Sequence, residues 1–287
     1  MWVAADQQIL NGQAATLALT WSGSDGEPAS APSTPQVTVL RADGTTVVSG
    51  AASGSGSSWT FAVTAAQTAD LDVWRVEWAA GTAVQVTAVE IVGGYYFTVA
   101  EARSQDTALQ DPAHYSAARI LESRAQVESE IEHAAAVAFV PRFSTVTLEG
   151  NGTATLVGPA RPREVRWGTI ADGTTVTALS AEDLAGVTLS PSGALTWSAG
   201  SWPAGAQITL GIEHGHDRPH PKMVAAAITL LRVRLNTGSS NFPDRAERYQ
   251  LSEGGMMYLS MPGAFKIGVP EVDAAIATYG VRVPAVA

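Results

Sequence analysis

Hydrophobic and polar residues alternate along most of the first 97 residues, which is the pattern of short strands with one buried face. In the clearest case, Leu17, Leu19 and Trp21 share one face of a strand. Gly-, Ser- and Pro-rich stretches, which are typical of surface loops, separate about seven such segments. The segments span residues 7–10, 14–21, 36–41, 45–49, 59–63, 74–78 and 84–86. Their number and spacing predict an all-β sandwich over residues 1–94.

Four tryptophans lie at the alternating positions of these strands: Trp21, Trp59, Trp74 and Trp78. They would serve equally as a core or as an exposed face that stacks on carbohydrate rings. Aromatic residues at this spacing most often form a core, and we expect the core here.

The hydrophobic period changes from two to between three and four near Tyr95. Thr98 and Glu101 have the spacing of a capping box, which predicts the start of a short helix. Asp111-Pro112 predicts the start of a longer helix that Pro141 ends. Its apolar side is formed by Ile120, Leu121, Val127, Ile131, Ala134, Ala135 and Ala138. Residues 95–142 are therefore predicted to be helical.

The opposite side of the longer helix is expected to be solvated. It carries Arg119, Glu122, Glu128, Glu130 and Glu132. Glu101, Asp106 and Asp111 are expected to form a solvated acidic surface in the same region.

Strand patterns return over residues 143–217 and predict a small inserted β domain. They cover residues 145–148, 153–157, 164–170, 174–178, 187–189, 195–197 and 207–213. Gly150-Asn151-Gly152 predicts a turn that joins the first two strands as a hairpin.

Helix is predicted again over residues 218–240, where Asp217 is a candidate cap and Lys222 begins a strongly apolar stretch. We expect this helix to pack on the helix that precedes the β domain. Residues 241–287 form a Gly-, Pro- and Met-rich extended arm that ends in a short helix over 270–279. The predicted fold class is α+β with several domains.

Composition narrows the possible functions. The chain has no cysteine, which excludes disulfides, thiolate catalysis and cysteine-ligated metals. Its longest apolar runs fall short of a membrane span, and its first residues lack the features of a secretory signal. The net charge of −10 argues against a general nucleic-acid binder. Residues 218–287 nevertheless carry eight basic and five acidic residues, an asymmetry that suits an acidic partner but also arises by chance.

One candidate catalytic or metal-binding cluster stands out, between Glu213 and His220. His214, His216 and His220 would bind zinc or nickel with Glu213 or Asp217 as a fourth ligand. Their spacing does not match a helical zinc motif, and glycine and two prolines predict a turn, so a structural role is expected. The sequence has no nucleophile elbow, P-loop or dinucleotide fingerprint. We expect no catalytic residues, no cofactor and no enzymatic activity.

Five segments between residues 95 and 280 resemble head-to-tail adaptor (head-completion or connector) proteins of siphophages. In that family, a helix ending in a VE…IE…FVPR pattern precedes a β insertion. An EHG.D.P turn then leads into the next helix, and a G.PEVD segment closes the chain. The segments here are YFTVAEAR (96–103), ARILESRAQVESEIEHAAAVAFVPR (118–142), STVTLEGNGTATL (144–156), IEHGHDRP (212–219) and GVPEVDAAIATYG (268–280).

The resemblance implies a virion protein of the phage neck, assembled in the host cytoplasm. Such adaptors form a ring, typically of twelve copies, that binds the portal protein and extends the DNA channel. The ring docks the next neck protein, a stopper or head–tail connector, and genomic DNA passes through it without specific binding. Residues 1–94 lie outside the resemblance and look like an immunoglobulin-like domain added to this core.

Two groups of site residues are expected on this basis. The portal-docking candidates are Arg245, Arg248, Lys266, Val272, Ala275, Ile276, Tyr279 and Arg282. The lumen-facing candidates are Glu122, Glu128, Glu130 and Glu132. The alternative for the portal-docking candidates is that the last helix packs on its own chain. The alternative for the lumen-facing candidates is that they form a solvated outer face of the ring.

Two other functions remain open at this point. The first is another virion protein, such as a tail terminator or a decoration subunit. The second is a secreted β-rich protein that binds or hydrolyses glycans, for which the aromatic strands and the histidine cluster would be functional.

Overall fold

The computed structural model describes residues 6–237, 248–250, 256–258 and 267–281. The alternating residues of the first segment form eight strands. These are β1 Gln7–Leu10, β2 Ala15–Thr20, β3 Gln36–Leu40, β4 Thr46–Ala51, β5 Ser53–Ser55, β6 Ser58–Val63, β7 Asp72–Ala80 and β8 Ala83–Val92. Five strands form one sheet in the order β1-β8-β7-β3-β4, and the other three form a second sheet in the order β2-β6-β5. Only the β1–β8 pair among them is parallel.

The two sheets share one hydrophobic core, as the alternation predicts. Trp21, Trp59, Trp74 and Trp78 are all buried in it, with Val37 and Leu17. The prediction that the tryptophans form a core is therefore confirmed. These four side chains are not available to stack on a carbohydrate ligand.

Two helices follow, α1 Val99–Gln105 and α2 Ala117–Ala135, with a 3-10 turn at Thr107–Leu109 between them. The predicted capping box is confirmed, because Thr98 and Glu101 each accept a hydrogen bond from the other's backbone N–H. The predicted bounds of α2 are wrong at both ends. Asp111 accepts from the N–H of Ala113 in a separate turn, so α2 begins after Ser116. Ala136 then adopts a left-handed conformation with φ of 53°, which ends α2 before Pro141 is reached.

The inserted segment forms seven strands and one short helix. They are β9 Arg142–Glu149, β10 Thr155–Val157, β11 Pro162–Asp172, β12 Thr175–Ala178, α3 Ala181–Ala185, β13 Val187–Leu189, β14 Ala194–Trp197 and β15 Gln207–His214. One antiparallel sheet has the order β12-β11-β15-β9 and the other has the order β10-β14-β13. Both sheets contribute to one core around Leu195, Trp202 and Ile208.

The predicted hairpin at Gly150-Asn151-Gly152 is wrong, because β9 and β10 belong to different sheets. Gly150 instead bonds to the loop before β15, donating to the carbonyl of Ala206 and accepting from the N–H of Gly205. A Cβ at Gly150 would lie 1.9 Å from the carbonyl oxygen of Pro203. Glycine is needed here for this close approach.

The last elements are α4 Pro221–Thr237, β16 Arg248–Gln250, β17 Met256–Tyr258 and α5 Pro270–Tyr279. The bounds of α5 agree with the prediction. The pair β16–β17 forms a two-stranded antiparallel sheet in a segment that was expected to be irregular.

The chain divides into two compact units. The β unit consists of residues 1–95 and 140–217, and the helical unit consists of residues 96–139 and 218–287. The chain is thus α+β, and the helical unit is interrupted in sequence by the β insertion. The finer domain limits at residues 94, 142, 217 and 240 stay predictions. Within the described ranges, no helix is long and apolar enough to cross a membrane.

Candidate functional site

Two of the four candidate lumen-facing glutamates are buried, which corrects the expectation that all four share a solvated face. Glu128 and Glu132 lie in the interior of the helical unit. The carboxylate of Glu128 accepts a hydrogen bond from the N–H of Tyr96 at 2.9 Å and lies 3.7 Å from Nε of Arg124. Arg124 in turn donates to the carbonyl of Phe97 at 3.2 Å. This buried pair therefore holds the segment through which the chain enters the helical unit.

The other two candidates lie at the surface of α2. Glu122 is exposed. Glu130 accepts from Nε and Nη2 of Arg234 on α4, with the shortest contact at 2.6 Å. The charge of Glu130 is thus paired within the helical unit, and only Glu122 presents an exposed carboxylate as predicted.

Besides Arg234, further polar contacts bind the C-terminal end of α4 to α2 and to the turn before it. Arg232 pairs with Asp106 at 3.1 Å, and Arg119 donates to the carbonyl of Leu235 at 2.9 Å. The hydroxyl of Tyr115 lies 2.5 Å from Oδ1 of Asn236. These contacts confirm that the helices flanking the β insertion pack together. They also correct the interpretation of Asp106 as solvated, since its side chain is only 12% exposed.

The apolar stripe of α5 is buried within its own chain. Val272, Ala275 and Ile276 are all buried, and α5 contacts both α4 and α2. Tyr279 stacks on His220 with ring centroids 4.4 Å apart, and the N–H of Val281 donates to the carbonyl of Ala135. The expectation that this stripe docks on the portal protein is therefore wrong for the three buried residues.

The four basic portal-docking candidates lie outside the part of the chain whose side chains the structure describes. Arg245, Lys266 and Arg282 lie outside the described residues. Arg248 lies in β16, but its side chain is also outside what the structure describes.

The three histidines of the candidate cluster occupy different structural positions. His214 is the last residue of β15 and is buried, and burial together with the charge of Arg142 lowers its pKa to about 4. His216 follows in the turn, where partial burial and then Arg161 lower its pKa. His220 lies before α4, and its Nδ1 accepts from the N–H of Lys222 in the first turn. The expectation that Asp217 caps α4 is wrong. Asp217 pairs with Arg163, and His220 caps the helix instead.

These positions make each histidine part of a strand end, a turn or a helix cap. Among the residues that the structure describes, no three His, Asp or Glu side chains are grouped as a metal ion would require.

Two groups of polar side chains, which the sequence did not reveal, join the two parts of the β unit. Glu90 of β8 accepts from Arg142 of β9 at 3.4 Å and from Gln8 of β1 at 2.9 Å. Arg166 of β11 pairs with Glu213 and, at 3.2 Å, with Asp70. These partners are 52 and 96 residues apart in sequence, so no local pattern connects them.

Two solved structures are distantly similar to this chain. No protein-family model matches the chain, and no curated protein matches it. The chain is similar to a solved chain from the neck of an empty gene transfer agent particle, computed with C6 symmetry, with 18% identity and a TM-score of 0.43. A chain from the virion of a native gene transfer agent particle shows 19% identity and the same TM-score. Each likeness covers 66% of this chain and 92% of the other, and at this TM-score it carries no conclusion about function.

Proposed function

We propose that this chain is a structural protein of the bacteriophage neck, a subunit of a head-to-tail adaptor ring. In this role the ring, typically of twelve copies, binds the portal protein, extends the DNA channel and docks the next neck protein. The observation that carries the proposal is the order of elements in the helical unit. The sequence resemblance over residues 95–280 implies a helix before and a helix after a β insertion, and these two helices, α2 and α4, pack together.

The segments that resemble the adaptor family lie where the helical unit and the β insertion connect, and over the last helix. The FVPR segment, residues 139–142, leads from the end of α2 into β9. The IEHGHDRP segment, residues 212–219, covers the end of β15 and the turn before α4. The GVPEVDAAIATYG segment, residues 268–280, spans α5. Each segment thus has a structural reason to recur in a protein of this architecture.

A ring subunit needs broad contact surfaces and a channel that DNA does not adhere to. Phosphate contacts from Arg or Lys would retard the genome, whereas carboxylates repel it. Glu122 remains a candidate for such a lining because it is exposed. Glu130 is a weaker candidate because Arg234 neutralises it. We expect no catalytic activity from this protein.

We assign residues 1–94 to an immunoglobulin-like domain added to the adaptor. The strand orders β4-β3-β7-β8 and β2-β6-β5 support this assignment, because they correspond to the two sheets of an immunoglobulin sandwich. The basic residues Arg245, Arg248, Lys266 and Arg282 remain our candidates for contact with the portal protein.

Imaging of assembled particles tests the proposed function directly. A tag on the chain, or an antibody against residues 1–94, is expected to label the junction of head and tail in virions. Particles that lack the gene product serve as the control. Label over the whole capsid would identify a decoration subunit, label at the far end of the neck would identify a tail terminator, and either result would contradict the adaptor proposal.

A further inference from the structure

The four-stranded sheet of the β insertion has two open edges. Among the described residues, β12 pairs only with β11, and β9 pairs only with β15. All four residues of β12 are exposed, and Val176 is 66% exposed. An exposed edge strand is a template on which another strand adds by backbone hydrogen bonds.

Neither edge carries a lysine, a proline or a bulge. Soluble proteins protect open edges with Lys, Pro, bulges or inward-pointing charges. The β12 edge reads Thr-Thr-Val-Thr-Ala over residues 174–178, and the β9 edge reads Ser-Thr-Val-Thr-Leu over residues 144–148. Both stretches are rich in β-branched residues and free of proline, and the charged residues of β9, Arg142 and Glu149, lie at its two ends. Each edge is therefore a strong strand template.

The hairpin that ends in β12 presents its backbone outward. Asp172 pairs with Thr175 across a two-residue turn, and Gly173 has a φ of 58°, which suits the first position of a type II′ turn. The residues that flank such a turn bond to each other. In the antiparallel alternation, the N–H and C=O of Val176 then point away from β11 and towards the open edge.

The directions of the strands identify which occupant fits both edges. Every pair in the sheet is antiparallel, and the sheet has four strands, so β9 and β12 run in opposite directions. A second copy rotated about an axis along the strands would bring its β12 beside β9 with the antiparallel alternation preserved. With an odd number of strands, β12 of the second copy would run parallel to β9. Two different edges that fit each other make a heterologous contact, which forms a ring when the rotation between neighbouring copies closes.

We propose that β12 of one copy pairs with β9 of the next copy, so that neighbouring subunits share one continuous antiparallel sheet. This inference rests on the proposed function, because it specifies the contact by which the ring closes. Val176 and Glu149 lie on the same face of the sheet through the row Val176–Ala171–Gln207–Glu149. Thr145 and Thr147 share that face by the period of two. A side chain at one of these three β9 positions would therefore lie beside Val176 of the neighbouring copy.

Cysteine cross-linking in assembled particles tests the contact, and the chain has no cysteine of its own. Val176→Cys is combined in turn with Thr145→Cys, Thr147→Cys or Glu149→Cys. After mild oxidation, we expect one of the three double variants to give a ladder of dimers, trimers and larger species on a non-reducing gel. A bridge within one copy is excluded, because β9 and β12 are about 14 Å apart across the sheet and a disulfide spans less than about 7 Å between Cα atoms.

Val176→Cys with Val146→Cys is the matched control, because Val146 packs against the core on the other face. This pair is expected to give no ladder. Dimers from Val176→Cys alone would reveal two-fold β12–β12 pairing and would overturn the inference. The absence of any ladder in particles that carry the variants would also overturn it.

Imaging separates this result from the proposed function. Neck label without a ladder would contradict the shared sheet and leave the adaptor proposal standing. A ladder in a protein found elsewhere in the particle would support the shared sheet and contradict the adaptor proposal.

Discussion

Buried charged side chains stabilise the helical unit, and Glu128 is the most buried of those that the structure describes there. Its burial differs from what the sequence indicates, because the charge of a glutamate places it on the polar side of any helix pattern. The signal that was available is the i, i+4 spacing of Arg124 and Glu128 beside the apolar stripe that includes Val127. The acceptor role towards Tyr96 depends on a residue 32 positions away, and no sequence pattern encodes it. The Thr98 capping box, by contrast, was predictable because both partners are local.

Removal of the Glu128 carboxylate should destabilise the helical unit. Glu128→Ala takes away the acceptor of the Tyr96 N–H and the buried counter-charge of Arg124, so we expect a loss of about 3–5 kcal/mol in the free energy of unfolding. Glu128→Gln keeps an acceptor oxygen and should lose less. Urea denaturation measures both. The control, Glu122→Ala at an exposed position, should change stability by less than about 0.5 kcal/mol, and an equal effect of the two alanine variants would contradict this role.

The buried imidazole of His214 should make stability depend on pH. Its pKa is about 4 in the folded chain and about 6.5 in the unfolded chain, so between these values the unfolded chain binds more protons. Stability is therefore full above pH 6.5 and falls as the pH drops towards 4, by up to about 3 kcal/mol. We expect the His214→Gln variant to lose less stability than the natural chain between pH 6.5 and 4. Thermal melting of both proteins across this pH range measures the difference. An NMR titration that gave His214 an ordinary pKa would contradict the assignment.

At the scale of elements, the type of each long element was predictable and its ends were not. The start signal Asp111-Pro112 is real, but it forms a turn of its own, and α2 begins at Ala117 with Ser116 as its cap. The end of α2 depends on Ala136, whose left-handed conformation is rare for a residue with a Cβ and has no sequence signal. The apolar stripe of α5 was identified correctly, but its partner was not, because periodicity gives a buried face without stating what covers it.

The left-handed Ala136 offers a stabilising substitution. Glycine adopts this conformation without the strain that a Cβ imposes, so Ala136→Gly should raise the free energy of unfolding by about 0.5–1 kcal/mol. Ala134→Gly, two residues earlier and inside α2, should lower it by about 1 kcal/mol. Thermal melting of each single variant beside the natural chain shows whether its stability rises or falls. A loss of stability in Ala136→Gly would show that the conformation costs nothing at this position.

At the scale of the whole molecule, the interruption of helices by a β insertion could be predicted, because the hydrophobic period changes once before residue 143 and back again after residue 217. The division of that insertion into two sheets could not. A period of two tells which residues share a face, but it does not tell which strands pair. The chain passes from one sheet to the other near Gly150, and this passage depends on the close contact of Gly150 with Pro203. The ion pairs of Arg142 and Arg166 with the first domain are hidden from the sequence for the same reason.

The first 94 residues should fold as an isolated domain. All eight strands and the core around Trp74 and Trp78 come from this segment. The fragment loses the ion pairs of Asp70 with Arg166, which is half exposed and contributes little, and of Glu90 with Arg142. Glu90 keeps its hydrogen bond from Gln8 within the fragment. We expect a soluble monomer with the near-ultraviolet circular dichroism of buried tryptophans. Trp78→Ala in the same fragment is the control and should unfold it, since this side chain is fully buried. An unfolded or insoluble fragment 1–94 would contradict an independent domain.

The split of the helical unit along the chain also determines when it is completed during synthesis. Helix α2 ends at Ala135 and its partner α4 ends at Thr237, about one hundred residues later. At about 5–20 residues per second, the ribosome needs roughly 5–20 s for this stretch. During that interval Ile120, Val127 and Ile131 have no α4 to pack against, while β9 to β15 are already complete before α4 emerges. The nascent chain therefore exposes an apolar helix face at the time when chaperones bind such faces, and the β insertion sets the length of that exposure.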